Sequence, residues 1–170
     1  MTSPRKPFRL NVGFIVNNDV GFSNDFPFEF NKIKISDDLE LRNFRGAANI
    51  GRTPQGLLLT GDFEATLQAE CARCLREFDH TVHWEMMELY AFNKKSVTDS
   101  GLILPDDANI DLAPLIRDYA LTEIPMSPIC KSDCKGLCTT CGQDLNKKDC
   151  GHRNDSNDSP FSVLKDLLRN

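Results

Sequence analysis

Five of the seven cysteines in this 170-residue chain fall within 21 residues, from Cys130 to Cys150, in a stretch with little apolar patterning. Such a segment cannot bury a core of its own, so something other than hydrophobic contact must hold it together. The remaining two, Cys71 and Cys74, form a C-x2-C pair, and Cys138 and Cys141 form a second, followed by Gly142. C-x2-C-G is the zinc-knuckle turn, in which a small residue lets backbone amides approach the sulfurs. Cys130, Cys134 and Cys150 are three further thiols, and His152 stands two residues after Cys150. Seven cysteines plus His152 supply ligands for two tetrahedral structural zinc ions, and one ion with spare thiols fits the count equally well.

Two other uses of cysteine compete with that reading. Unligated thiols are common in packed cores, which suits a lone cysteine on a strand but not five crowded into a polar segment. A thioredoxin-like redox pair expects C-x-x-C at the start of a helix within a βαβ unit, and the local pattern around Cys71 and Cys74 is of another kind. Disulfides are disfavoured by compartment. Met1 to Leu10 carries Arg5, Lys6 and Arg9 with no apolar stretch after it, so it does not read as a signal peptide. Nor does any run of 18 apolar residues exist. A cytoplasmic chain is expected, and there paired cysteines read as metal ligands or redox groups.

Leu59, Gly61, Phe63, Ala65, Leu67, Ala69 and Cys71 alternate with Thr60, Asp62, Glu64, Thr66, Gln68 and Glu70. Period two over that length predicts a half-buried antiparallel strand. Beyond Cys71-Ala72-Arg73-Cys74 the alternation resumes, with Phe78, Val82, Trp84, Met86, Tyr90 and Phe92 facing one way, which puts the cysteine pair at the tip of a long hairpin. Upstream, Thr53-Pro54-Gln55-Gly56 is a type I turn signal joining a strand near Leu39–Ile50 to the next. Phe8, Leu10, Val12, Phe14 and Val16 alternate as well and predict an N-terminal strand. After a polar loop over 93–109, Asp111 can cap a helix with Leu112, Leu115, Ile116, Tyr119 and Ala120 on one face, tolerating Pro114 in its first turn and ending by Pro125. A polar run from Arg153 to Asp158 precedes a short helix starting at Ser159-Pro160, with Phe161, Leu164 and Leu168 as its stripe. The expected fold is α+β: an antiparallel β-sheet or partly closed barrel with one or two helices over residues 1–125, then a zinc-stapled segment with a short helix over 126–170.

The net charge of −5 is no footprint of a bulk polyanion binder, but it is unevenly spread. Residues 1–128 carry net −6, whereas 129–153 carry net +2, with Lys131, Lys135, Lys147 and Lys148 as the candidate RNA contacts. That patch depends on metal, because free thiolates would outweigh it. Catalytic signatures are missing: there is no G-x-S-x-G, P-loop or dinucleotide fingerprint. His83-Trp84-Glu85 with a later Cys138-x2-Cys141 superficially matches the zinc-deaminase pattern. Position 137 is leucine rather than proline, however, and His83 and Glu85 fall on the polar face of a strand, as surface residues. His80 reads as a strand residue too. No enzyme is expected.

Several of these features occur together in one family. Gly56-Leu57-Leu58-Leu59 through Cys71-Ala72-Arg73-Cys74-Leu75, with Phe78 after it, resembles the C-x-R-C hairpin of the YceD family, the large ribosomal RNA subunit accumulation proteins of bacteria and plastids. Later features keep the same order: a helix ending in Ile124-Pro125, then Cys130-x3-Cys134-Lys135-Gly136-Leu137-Cys138-x2-Cys141-Gly142-x-Asp144-Leu145-Asn146. Cys150-Gly151-His152 stands where members commonly carry a closing pair such as C-x-C, and Ser159-Pro160-Phe161-Ser162-Val163-Leu164 is similar to their last helix start. The resemblance covers roughly residues 35–170. It implies a non-enzymatic role in accumulation or processing of large-subunit (23S) ribosomal RNA and so in ribosome assembly, with a ribosomal large-subunit precursor, or a protein associated with it, as partner. The residues alone leave a second reading open, a zinc-stabilised interaction module with another partner, for instance in transcription.

Overall fold

The computed structural model describes residues 6–152. Four long strands carry the fold: β2 (Ser23–Ser36), β3 (Leu39–Arg52), β4 (Gly56–Glu70) and β5 (Glu77–Ala91) form an open antiparallel sheet in that order. Before them lie a short strand β1 (Arg9–Asn11) and a helical turn α1 (Gly13–Val16). After them come a 3-10 turn (Lys94–Ser96), strand β6 (Asn109–Asp111), which pairs with β1, and helix α2 (Ala113–Thr122).

The described residues divide into two compact units. The first runs to Ala69 and resumes over Asp79–Met126; the second joins Glu70–Phe78 to the chain from Ser127 onward. The hairpin tip therefore groups with the cysteine-rich segment rather than with the sheet. The C-terminal helix expected from Ser159-Pro160, and the polar run before it, lie outside the described residues.

Alternation decides the sheet. Leu57, Leu59, Phe63, Ala65, Leu67 and Ala69 of β4 are buried, as are Val82, Trp84, Met86 and Tyr90 of β5, while the residues of the opposite parity, such as Asp62 and Gln68 or His83 and Glu85, face outward. The inward face builds an aromatic core. Phe63 stacks on Phe44 at 5.4 Å and on Trp84 at 5.8 Å, and Phe28 and Phe8 extend the chain of rings. Such pairs contribute about 0.5–1.5 kcal/mol each beyond the area they bury. The expected turn closes β3 onto β4: Thr53 N–H donates to the Gly56 carbonyl at 2.9 Å, and its hydroxyl accepts from Gly56 N–H.

The N-terminal alternation is only partly strand. β1 stops at Asn11, the Asn11 side chain accepts from Gly13 N–H, and Val12 and Ile15 become the buried pair, three apart as in a helical turn. Phe14, assigned inward by the alternation, is 47% exposed. In β3 the inward set changes parity, from Leu39 and Leu41 to Phe44, Ala48 and Ile50. A bulge between Arg42 and Arg45, with Asn43 at φ 48°, makes the change. Asn is among the few side chains that tolerate that backbone. Helix α2 forms where expected, and the Asp111 carboxylate accepts from Ala113 N–H at 3.0 Å, one residue outside the formal cap.

Candidate metal centres

The two C-x2-C segments fold into the same knuckle. Cys71 N–H donates to the Arg76 carbonyl and the Cys71 carbonyl accepts from Leu75 N–H; Cys138 N–H donates to Gln143 and its carbonyl accepts from Gly142 N–H. These bonds, all 2.8–2.9 Å, bend the chain so that the amides of Arg73 and Cys74 turn toward the Cys71 sulfur and those of Thr140 and Cys141 toward the Cys138 sulfur. The bend needs a left-handed residue at its fifth position. Gly142 supplies it at φ 73°, and in the first knuckle Leu75 adopts it at φ 56° while 58% exposed. Gly136 is left-handed as well, and a Cβ there would sit 3.0 Å from the Arg73 carbonyl, so the second segment passes close beneath the first knuckle.

Eight side chains gather into two groups of four. Cys71, Cys74, Cys130 and Cys134 form one, and Cys138, Cys141, Cys150 and His152 the other; within each, all ligand atoms lie within 4.8 Å of one another. The sulfurs of Cys71 and Cys134 are 3.9 Å apart, and those of Cys74 and Cys130 are 3.7 Å apart. A disulfide needs about 2.05 Å. A tetrahedral ion with bonds of about 2.3 Å separates its sulfurs by about 3.8 Å, which is the spacing present. In the second group Cys138 Sγ lies 3.9 Å from His152 Nδ1. Both groups can hold a metal ion. The first is largely buried, and in the second Cys141 and His152 are exposed.

Two thiols of each group are shifted in opposite directions. Burial opposes the Cys71 thiolate, but the backbone amides of Cys130, Cys74 and Arg73 outweigh it and bring the thiol down to about 6. Cys74 moves the other way. The Arg76 amide favours its thiolate, yet burial and the neighbouring sulfurs of Cys71, Cys134 and Cys130 push it up to about 12. In the second group the amides of Cys141 and Thr140 hold Cys138 at about 6. Cys150 is raised: the His152 amide favours its thiolate, and the Cys138 sulfur and burial override that. In each group one thiol, Cys71 or Cys138, thus ionises readily and one, Cys74 or Cys150, resists, unless a cation sits between them and reverses the balance.

Three residues outside the ligand set support it. Arg76 Nη2 donates to Cys130 Sγ at 3.2 Å, and Arg73 Nη1 donates to the Cys134 carbonyl at 3.0 Å. Asn146 Nδ2 donates to Cys134 Sγ at 3.5 Å while its Oδ1 accepts from Lys135 N–H at 2.9 Å. Contacts of this kind fix ligand orientation and offset thiolate charge. Arg73 and Asn146 stood in the motifs read from the sequence without a role. Their signal was position, inside or just beyond a C-x2-C pair.

Lys131, Lys135, Lys147 and Lys148 are all exposed. Lys131 pairs with Asp133 at 3.4 Å, and the other three ammonium groups have no ion pair among the described residues. His83 and Glu85 belong to neither group; both are exposed on β5, and His83 Nε2 lies 3.0 Å from Asp62 Oδ1. Among the described residues no helix is long and apolar enough to cross a membrane.

Comparison with known proteins agrees with this pattern. The family model described as "Large ribosomal RNA subunit accumulation protein YceD" matches residues 59–168, which takes in the hairpin tip and both knuckles. An uncharacterized protein of Mycobacterium tuberculosis (strain ATCC 25618 / H37Rv) is 33% identical over 137 residues, covering 77% of this chain and 61% of the relative. The chain thus spans somewhat under two thirds of the mycobacterial relatives it matches. The chloroplastic large ribosomal RNA subunit accumulation protein YCED homolog 1 of Arabidopsis thaliana is 38% identical over 63 residues, 37% of this chain and 20% of that protein. Its namesake in Zea mays is 48% identical over 40 residues, 24% and 14% respectively. No solved structure matches the chain. With the family model covering well over half of it, the chain belongs to the YceD family of large ribosomal RNA subunit accumulation proteins.

Proposed function

We propose that this protein is a non-enzymatic factor for the accumulation of 23S ribosomal RNA, acting in processing or assembly of the large ribosomal subunit and stabilised by two structural zinc ions. The family match across residues 59–168, with plant relatives named for large ribosomal RNA subunit accumulation, carries the functional part. The two four-ligand groups carry the zinc part. Sulfur-rich tetrahedral sets favour zinc, and a site whose four positions are all filled by protein leaves no place for a reacting water. That supports a scaffold role for the metal and a binding role for the protein. A reducing cytoplasm, where the thiols stay available, suits it.

Depletion of the protein followed by profiling of ribosomal particles tests the functional reading. A fall in large subunits and in 23S RNA relative to small subunits is expected, and an unchanged profile overturns it. Metal analysis of protein purified in reductant without chelator tests the zinc; two equivalents are expected, and less than about half an equivalent refutes it.

Direct RNA contact, within this reading, falls to Lys131, Lys135, Lys147 and Lys148, four exposed cations of the second unit. Phosphate contacts carry no sequence information, so neutralising all four should weaken unrelated RNAs alike and flatten the salt dependence. Identical affinities and slopes, at matched zinc content, would make this segment a scaffold and leave the ribosomal particle to be reached through a protein.

A further inference from the structure

The outward face of the sheet is not uniform. A groove of about 380 Å³ crosses all four long strands, from Asp25 on β2 over Ala47 on β3 and Gly61 on β4 to Glu85 and Met87 on β5. Ala47, which contributes only a methyl group, keeps its middle low. Gly61 belongs to the inward parity of β4: a Cβ there would come within 2.5 Å of the Phe63 ring and 2.9 Å of the Met86 methyl group, so glycine is a packing requirement of the core beneath the groove. Met86 is 3% exposed and belongs to that core. Beside it Met87 stands 68% exposed on the outward face of β5, after the polar His83 and Glu85.

Carboxylates ring this apolar floor. Asp25 accepts from Asn49 Nδ2 at 2.7 Å, and Asp62 faces His83 at 3.0 Å, so both are held in place. Glu85 has no hydrogen bond or ion pair among the described residues. Among the described residues no lysine or arginine lines the groove. The surrounding unit is strongly acidic, with the net −6 of residues 1–128 falling almost wholly on it.

The geometry points to a docking groove for a cationic protein segment, in which lysine or arginine side chains lay their aliphatic stems along Ala47 and Met87 and present their charged ends to Asp25, Asp62 and Glu85. Long cationic side chains bury their stems against apolar surface in this way, and methionine side chains adapt to whatever shape lies on them. A nucleic acid is the wrong occupant, because its phosphates would meet three carboxylates. Because the groove runs across the strands, the segment lies on the sheet face and adds no strand to its edge. This surface is independent of the lysines assigned to RNA, and its partner chemistry is the opposite.

A fluorescein-labelled 12-residue peptide of alternating lysine and leucine, compared with one of alternating glutamate and leucine, tests the groove by anisotropy on the metal-loaded full chain. Binding of the cationic peptide alone is expected. The double variant Asp62→Lys/Glu85→Lys should weaken it at least tenfold, and Ala47→Phe, which fills the floor without changing charge, should do likewise. Asp106→Lys/Glu123→Lys makes the same change of net charge at exposed positions outside the groove and should alter affinity less than threefold. Trp84 fluorescence confirms that each variant is folded. No binding, equal binding of both peptides, no effect of Ala47→Phe, or equal losses in the two double variants would overturn the proposal. The assay contains no RNA and no ribosomes, so its failure leaves the ribosomal reading standing, and failure of that reading leaves the groove standing.

Discussion

Replacing Cys134 by serine separates what metal holds from what the hydrophobic core holds. Cys134 is 3% exposed, sits opposite Cys71 at 3.9 Å and is braced by Asn146. Among the described residues, the buried cluster of the second unit consists of Cys71, Cys74 and Cys134, with Phe78, Cys130 and Leu137 packed partly against it. Partial burial of one phenylalanine and one leucine contributes about 2–4 kcal/mol, whereas a structural zinc contributes on the order of 10 kcal/mol. The metal term dominates, so Cys134→Ser should release the hairpin tip and the residues around Cys130. The first unit has its own core in Phe44, Phe63 and Trp84 and should lose less than about 0.5 kcal/mol, as for a change remote from its packing. Both halves are measurable in one sample. Hydrogen exchange should show amide protection lost over residues 70–78 and 127–137, including the Leu75 amide that closes the first knuckle and the Leu137 amide that donates to the Arg73 carbonyl. Trp84, the one tryptophan, reports the first unit, and its denaturation midpoint should not move. A Trp84 transition destabilised by more than about 1 kcal/mol, or protection retained at the tip, would show that the energetic division is drawn wrongly.

Within the first unit, Phe63→Ala removes the ring that joins Phe28, Phe44 and Trp84 and should cost about 3–5 kcal/mol; thermal denaturation losing less than about 1 kcal/mol would contradict the assigned core. The pH response should change sign with metal. In the loaded protein the thiolates are held ionised, a depressed acid, so stability is present above the ordinary thiol value of about 8.5 and lost as pH falls through and below the value of about 6 that Cys71 and Cys138 already have without metal. Metal should therefore stay bound at pH 7 and be released below about pH 6, read with a chromogenic chelator. In stripped protein the raised Cys74 and Cys150 work the other way, giving stability at neutral pH that is lost as pH rises, and hydrogen exchange over residues 127–152 at pH 7 and pH 10 should show it.

The hairpin was legible because one face of β4 and β5 is buried and the other wet, which writes itself as period two. Strand β2 was missed although Phe26, Phe28 and Phe30 alternate in it. Pro27 and the charges around it mask the pattern, and an edge strand tolerates both. The parity change in β3 hinges on Asn43, which no periodicity reveals. At the N-terminus the alternation of Phe8 to Val16 promised a strand, and a side-chain bond from Asn11 diverted it into a turn. The seven cysteines and His152 of the two groups were legible as residue types. Their partition into groups was not, because spacing alone cannot say that Cys130 and Cys134 reach back to a hairpin tip more than fifty positions earlier.

That difference in reach makes the two centres separable. The second group closes locally, since Cys138 and His152 are 14 positions apart, whereas Cys74 and Cys130 are 56 apart. Loop-closure entropy grows only as the logarithm of length, so the longer span costs about 1.2 kcal/mol more, small against the metal's contribution on the order of 10 kcal/mol. The first centre is therefore not weak, but it requires that β4 and β5 already present Cys71 and Cys74 together. The second requires nothing from the sheet. Cys74→Ser should consequently leave one equivalent of metal, held by Cys138, Cys141, Cys150 and His152, and Cys141→Ser should leave one equivalent in the other group. The double variant should retain none. Zinc measured against protein after gel filtration in reductant decides it. If either single variant loses both ions, the groups form one cooperative cluster, and the independence argued from their chain spans is wrong.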